Sequence, residues 1–202
     1  INASDHTALR TLGLKRVIDL RDDDEQRFEP SNLGGLDVDV LRVPLFLGSA
    51  ASLVASDISL AELNQKLVED SASQVVEVVR GIVVDQPVLV HCTVGKDRTG
   101  LAIALTLAAS GVTDDAIVAD YARTEGLLSE ERNRRTLSYL RRIYPAAVHL
   151  EELVTRSPAD VMRGVLNGLR EAYGAPVEYL RAHGLRDDEI ATLGDVLIER
   201  SR

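Results

Sequence analysis

The sequence feature that most constrains the fold is a short apolar strand that runs into a tight loop and then into an apolar helix. Residues 88–90 follow Pro87 and are entirely apolar, which is typical of a buried strand. Residues 99–110 are nearly all apolar and stop before Gly111, which predicts a helix buried on most sides. This order of strand, loop and helix is typical of an α/β fold, in which ligands bind at the carboxyl ends of parallel strands.

The rest of the chain supports the same fold class. Strands are predicted at residues 17–20 and 36–45, with a charged loop at 21–25 after the first, and helical spacing predicts two helices at 59–70 and 71–84. Capping residues predict further helices over 113–126, 129–143 and 157–173, and a last one from Asp187 or Asp188. We therefore expect a central, mostly parallel sheet flanked by helices, with a largely helical C-terminal half.

Length and composition exclude several classes of protein. The 202 residues fit one domain, 1–202, and no apolar stretch of about 18 residues lacks charge, so no membrane span is predicted. The net charge of −9 argues against nucleic acid as a partner. The chain begins with Ile1 and shows no signal peptide, so we expect a protein of the cytoplasm or a secreted protein whose N-terminal segment is incomplete.

The loop at residues 91–100 carries the residues that predict chemistry. Cys92 is the single cysteine of the sequence, so it has no disulfide partner in the chain, and five residues separate it from Arg98. A loop that turns into a helix directs its N–H groups at one point, and this field favours an anion and a thiolate. A guanidinium can hold two phosphate oxygens, and Gly95 allows the sharp turn. We therefore expect Cys92 to be a nucleophile in a phosphate cradle formed by Thr93, Val94, Gly95, Lys96, Asp97 and Arg98.

Several neighbouring residues have supporting roles in this interpretation. Thr99 is expected to hydrogen-bond the thiolate, and His91 to orient the loop. Lys96 is either a second cation at the mouth of the site or a solvated surface residue. Asp19 and Arg21, at the end of the first strand, either reach the site or form an ion pair that braces the loop, and the bracing role is favoured.

The loop, HCTVGKDRTG, resembles the signature loop of the protein tyrosine phosphatase superfamily and, within it, of the bacterial tyrosine/serine phosphatases. Residues 17–25, VIDLRDDDE, are similar to the IDLR strand of that family, and residues 100–125 and 161–185 also resemble it. The resemblance implies a tyrosine-phosphatase-like fold, no metal and no organic cofactor. It implies phosphotyrosine substrates, extended to phosphoserine, phosphothreonine and phosphoinositides. The NFRD-like segment of the family would precede Ile1, and residues 50–84 take the place of helices that can cover the active site.

Hydrolysis also requires a proton donor for the leaving group. Tyrosine phosphatases commonly use an Asp on a separate loop, and Asp57 and Asp85 lie at loop-like positions. Asp97 is the better candidate because related GKDRTG loops use this position, although it is also a good helix cap. The predicted reaction has two steps: Cys92 takes the phosphoryl group while Asp97 protonates the leaving alcohol, and water then hydrolyses the phosphocysteine.

Two other functions compete with this prediction. A catalytically inactive phospho-binding module would keep the cradle, but the presence of Cys92, Arg98 and Thr99 argues against it. A rhodanese-like sulfur transferase would also place a thiolate between a strand and a helix. The spacing to Arg98 and the run from Gly95 to Gly100 argue against that function.

Overall fold

The structure, a computed structural model, describes residues 3–45 and 55–198 and contains a sheet of three parallel strands. The strands are β1 (Arg16–Asp19), β2 (Asp39–Arg42) and β3 (Val88–His91), in the order β2-β1-β3. The register pairs Asp19 of the central strand with Arg42 on one side and His91 on the other. The carboxyl ends of all three strands therefore lie at one edge, and the predicted α/β fold is confirmed.

Helices make up most of the remaining described chain. In chain order they are α1 (Ala3–Thr11), α2 (Asp23–Phe28), α3 (Leu60–Asp70), α4 (Ala72–Val84), α5 (Asp97–Ala109), α6 (Asp114–Leu127), α7 (Glu130–Ile143), α8 (Leu150–Thr155), α9 (Ala159–Tyr173), α10 (Pro176–Ala182) and α11 (Asp187–Leu197). No helix in the described ranges is long and apolar enough to cross a membrane.

One face of the sheet is packed tightly against α4. A Cβ atom at Gly81 would lie 2.6 Å from Cδ2 of Leu41 and 2.9 Å from Cδ1 of Ile18, so only glycine permits this approach. The opposite face is covered less, since Val40 is 45% exposed and Leu89 is 36% exposed. The hydrophobic core therefore lies between the sheet and the helices on the α4 side, and Leu101 and Leu105 of α5 belong to it.

The predicted strands and long helices are confirmed, with a shorter second strand than the expected 36–45. The prediction of a charged loop at 21–25 is wrong, because residues from Asp23 onward form α2. Residues 50–84 were compared above with helices that can cover the active site, and residues 50–54 of this region lie outside the described residues. The described part forms α3 and α4, and Val75, Val78 and Val79 of α4 are fully buried in the core.

Candidate active site

Cys92 lies at the base of the loop that joins β3 to α5. The backbone N–H of Leu20 donates to the carbonyl oxygen of His91 at 2.9 Å, so the central strand fixes the start of the loop. Gly95 has a φ of +78°, and its N–H donates to Sγ of Cys92 at 3.2 Å. Cys92 is 8% exposed. The first turn of α5 follows, and its leading N–H groups have no partner within the helix, which is the arrangement that binds anions.

Arg98 is held beside the sulfur by a carboxylate. Its Nη1 donates to Oε2 of Glu25 and its Nη2 donates to Oε1, both at 2.6 Å. Burial would lower the pKa of Arg98, but the Glu25 carboxylate and the Cys92 thiolate raise it. The two bonds to Glu25 use Nη1 and Nη2, so the Nε edge of the guanidinium faces away from that carboxylate. This edge offers a donor to phosphate oxygens.

Glu25 is the functional residue that the sequence prediction missed. Burial would raise the pKa of Glu25, but the hydrogen bonds from Arg98 and Thr93, whose hydroxyl donates to Oε1, lower it to about 2. Glu25 is also the third residue of α2. Its N–H donates to Oδ1 of Asp22 at 2.7 Å, and its Oε2 accepts from the N–H of Asp22 at 3.1 Å. Asp and Glu three residues apart are the sequence pattern of such a capping box, which predicts the start of a helix. This pattern could have revealed α2, and with it Glu25, from the sequence.

Asp19, Arg21 and His91 interact with one another at the carboxyl ends of β1 and β3. Nε and Nη2 of Arg21 donate to the two carboxylate oxygens of Asp19 at 3.0 and 2.8 Å, and both residues are buried. Nε2 of His91 lies 3.7 Å from Oδ2 of Asp19, and Nδ1 lies 3.1 Å from the carbonyl oxygen of Cys92. Burial would raise the pKa of Asp19, but the hydrogen bonds from Arg21 lower it. Asp19 and Arg21 thus have the geometry of a buried ion pair.

The sequence suggested two positions for Lys96, at the mouth of the site or on the solvated surface, and both are wrong. Its side chain is fully buried, so it is neither a solvated surface residue nor a cation at the mouth of the site. Nζ lies 3.0 Å from Oδ1 of Asp97 and donates to the carbonyl oxygen of Arg156 at 2.8 Å. A buried ammonium requires such partners. Lys96 therefore connects the loop to the chain before α9 and faces Asp97.

Asp97 is the first residue of α5, and its carboxyl is mostly buried, with 16% of the side chain exposed. Burial raises the pKa of Asp97, although the cations Lys96 and Arg98 act in the opposite direction. A carboxyl group with a raised pKa keeps its proton to higher pH, which a general acid requires. Thr99 lies two residues after Asp97, in the first turn of α5. Its Oγ1 is buried and forms no hydrogen bond within residues 3–45 and 55–198, including none to the sulfur.

The other two candidate acids have different surroundings. Oδ1 of Asp57 accepts from the N–H groups of Val148 and His149 at 2.8 and 3.0 Å, so this carboxylate caps the start of α8. These hydrogen bonds lower the pKa of Asp57. Asp85 ends α4 before β3 begins, at the amino-end edge of the parallel sheet. The loop of Cys92 lies at the opposite edge.

A cysteine and an arginine on one strand-to-helix loop, around an anion-binding turn, are the arrangement expected of a cysteine-dependent phosphatase. The chain belongs to the tyrosine phosphatase family, because the model described as "Tyrosine phosphatase family" matches residues 1–199. The membership that the loop sequence suggested is thus confirmed.

Two relatives show how far the similarity extends. The chain is 30% identical over 200 residues to a "Tyrosine-protein phosphatase" of Nostoc commune, a match that covers 94% of this chain and 68% of the relative. It is 35% identical over 125 residues to the "Triple specificity protein phosphatase PtpB" of Mycobacterium tuberculosis, which covers 56% of this chain and 44% of the relative. The matched region therefore spans less than half of the mycobacterial protein.

Proposed function

We propose that this chain is a cysteine-dependent phosphatase that hydrolyses phosphotyrosine through a phosphocysteine intermediate. The observation that carries the proposal is the placement of Cys92 and Arg98. The sulfur accepts a backbone hydrogen bond inside the loop, and the guanidinium is fixed on its outer edge by Glu25. A nucleophile and a preorganised cation that share one anion site are the requirements of phosphoryl transfer to a thiolate.

In the first step, the Cys92 thiolate attacks phosphorus. The S–P bond forms as the P–O bond to the leaving group breaks, and the leaving oxygen takes the proton of Asp97. Arg98 and the N–H groups of the loop hold the remaining phosphoryl oxygens and the charge that develops on them. In the second step, water attacks phosphorus and gives a proton to the Asp97 carboxylate. The S–P bond breaks, and phosphate and the thiolate are released.

The surroundings of Asp97 support its assignment as the acid and base of these steps. Burial raises its pKa, while Lys96 at 3.0 Å stabilises the carboxylate that remains after the first step. The two influences oppose each other, so the group can both release and accept a proton. Asp57 lacks this balance because its carboxylate is already fixed by two backbone N–H groups.

For the substrate class, we propose phosphotyrosine first, with phosphoserine, phosphothreonine and phosphoinositides as further substrates. The family membership supports phosphotyrosine. The name of the mycobacterial relative, which describes a triple specificity, supports testing the wider range. Turnover on a phosphotyrosine peptide, a phosphoserine peptide and phosphoinositide vesicles would rank these substrates by kcat/KM.

The nucleophile is tested with Cys92→Ser and para-nitrophenyl phosphate. We expect the variant to lose turnover by more than about a thousandfold, because a hydroxyl is far less ionised than a thiol, and to retain phosphate binding. Rapid acid quench of the wild type with a phosphorus-labelled substrate should trap label on Cys92. Substantial turnover by Cys92→Ser would refute the assignment.

The acid is tested with Asp97→Asn on two leaving groups. Tyrosinate is a poorer leaving group than nitrophenolate, so it depends more on protonation. We therefore expect Asp97→Asn to reduce kcat/KM on a phosphotyrosine peptide more strongly than on para-nitrophenyl phosphate. Equal losses on both substrates would contradict the role of proton donor.

A further inference from the structure

A cluster of buried polar side chains lies beside the loop, and the proposed reaction assigns no role to two of them, Asn64 and Tyr121. Asn64 of α3 and Lys96 are fully buried, and Tyr121 of α6 is 3% exposed. Together with Asp97 they come from three different parts of the fold. Burying this many polar groups is costly unless they interact with each other, so the cluster requires an explanation.

Gly100 shows where the ring of Tyr121 lies. A Cβ atom at position 100 would be 2.8 Å from both Cδ2 and Cε2 of Tyr121, so the ring occupies the space that a side chain would need. Positions 97 and 100 are three apart in α5 and therefore share one face of the helix. The Cα–Cβ bonds of a helix tilt toward its N-terminus. The space above Gly100, which the Tyr121 ring occupies, therefore borders the side chain of Asp97.

The polar atoms of the cluster have few other partners. Within the described residues, the Tyr121 hydroxyl, Oδ1 of Asn64 and Oδ1 of Asp97 are buried and form no hydrogen bond that meets both distance and angle limits. Nδ2 of Asn64 is fixed because it donates to the carbonyl oxygen of Leu60 at 2.9 Å. Oδ1 of Asp97 has the Lys96 ammonium at 3.0 Å as an ion-pair partner. The Tyr121 hydroxyl is therefore a buried donor without a partner among the described residues.

The charges of the cluster act on the pKa of Tyr121 as well as on that of Asp97. Burial raises the pKa of Tyr121, the charge of Asp97 raises it further, and the neighbouring Asn64 side chain lowers it. The other charged groups that act on Asp97 or Tyr121 are Lys96 and Arg98 at the loop and Glu152 of α8. Tyr121 carries a hydroxyl, so it can donate to a carboxylate without adding charge.

We propose that Tyr121 is a positioning residue for Asp97: Asn64 and Gly100 fix its ring, and its hydroxyl donates to the Asp97 carboxylate formed in the first step. The inference rests on the proposed function. A hydrogen bond to the charged form stabilises it, so Tyr121 and Lys96 together oppose the effect of burial. Asp97 is then able to release its proton to the leaving group and to take one back from water.

The test is the pH profile of kcat/KM for Tyr121→Phe with a phosphotyrosine peptide, whose leaving group depends on protonation. Activity requires protonated Asp97, so the alkaline limb of the profile reports its pKa. Loss of a donor to the carboxylate should move this limb upward by about one pH unit. If Tyr121→Phe does not fold, site-specific 3-fluorotyrosine at position 121 retains the ring and makes a stronger donor, and the limb should then move downward.

Tyr179→Phe is the matched control. The Tyr179 ring is also buried, and its hydroxyl donates to the carbonyl oxygen of Val68 at 2.7 Å, away from the loop. Tyr179→Phe should lower the stability of the protein but leave the alkaline limb of the kcat/KM profile at the wild-type pH. A Tyr121→Phe or fluorotyrosine profile that superimposes on the wild type would overturn the inference alone. An Asp97→Asn variant that retains the wild-type alkaline limb, or an active Cys92→Ser variant, would instead overturn the proposed function.

Discussion

Replacing Glu25 by Gln removes the charge that fixes Arg98 while preserving the size of the side chain. The two hydrogen bonds of 2.6 Å join the outer edge of the guanidinium to this carboxylate, and an amide offers one acceptor and one competing donor in their place. Arg98 would then sample other rotamers, so fewer molecules would present it to the phosphate. We expect kcat/KM to fall by about tenfold to a hundredfold, less than when a transition-state donor is removed entirely.

The pKa of Glu25 gives the scale of the effect on stability. The difference between its ordinary 4.5 and about 2 corresponds to about 3 kcal/mol at neutral pH. Because the pKa is depressed in the folded state, this stabilisation is complete above pH 4.5 and is lost as the pH falls toward 2. Glu25→Gln should therefore reduce the free energy of unfolding at neutral pH by about 2–3 kcal/mol and flatten its dependence on acid pH.

The assays are urea unfolding and turnover of para-nitrophenyl phosphate, with Asp24→Asn as the matched control. Asp24 is one residue away in α2, and its pair with Arg27 is largely exposed, so its loss should cost less than about 1 kcal/mol. A double-mutant cycle with Arg98→Lys would isolate the coupling between the two side chains. If Glu25→Gln matched Asp24→Asn in both kcat/KM and unfolding free energy, the positioning of Arg98 by Glu25 would be refuted.

Two other substitutions test the packing around Asp97. Gly100→Ala places a Cβ 2.8 Å from the Tyr121 ring and should destabilise the protein by about 1–3 kcal/mol. Gly126 has open space around it, so Gly126→Ala should stabilise α6 slightly. Equal effects of the two variants in urea unfolding would contradict this packing. Lys96→Met removes the ammonium beside the buried Asp97 and raises the pKa of that carboxyl further. The free energy of unfolding, measured across pH, should then decrease more steeply with rising pH than in the wild type, and a parallel curve would contradict the ion pair.

The sequence predicted the parts of the fold that follow from local patterns. The apolar run of β3, the capping residues of the long helices and the glycine of the loop each act within a few residues, and the structure has them at those positions. Helix α2 was missed because its acidic residues were interpreted as a solvated loop, although Asp22 and Glu25 have capping-box spacing. The missed helix is the one that carries Glu25 to Arg98, so one local error also hid a contact across 73 positions.

Lys96 shows the other reason why sequence reasoning stops short. Nothing near Lys96 in the sequence distinguishes a cation directed at a substrate from one directed inward, because the direction is set by groups that come from elsewhere in the fold. The carbonyl of Arg156, sixty positions away, and the carboxyl of Asp97 together make burial of the ammonium tolerable. Burial raises the pKa of Asp97, and the same ammonium acts against that increase. In this loop, residue types predict the kind of reaction, and contacts from distant residues influence the protonation states of the groups proposed for it.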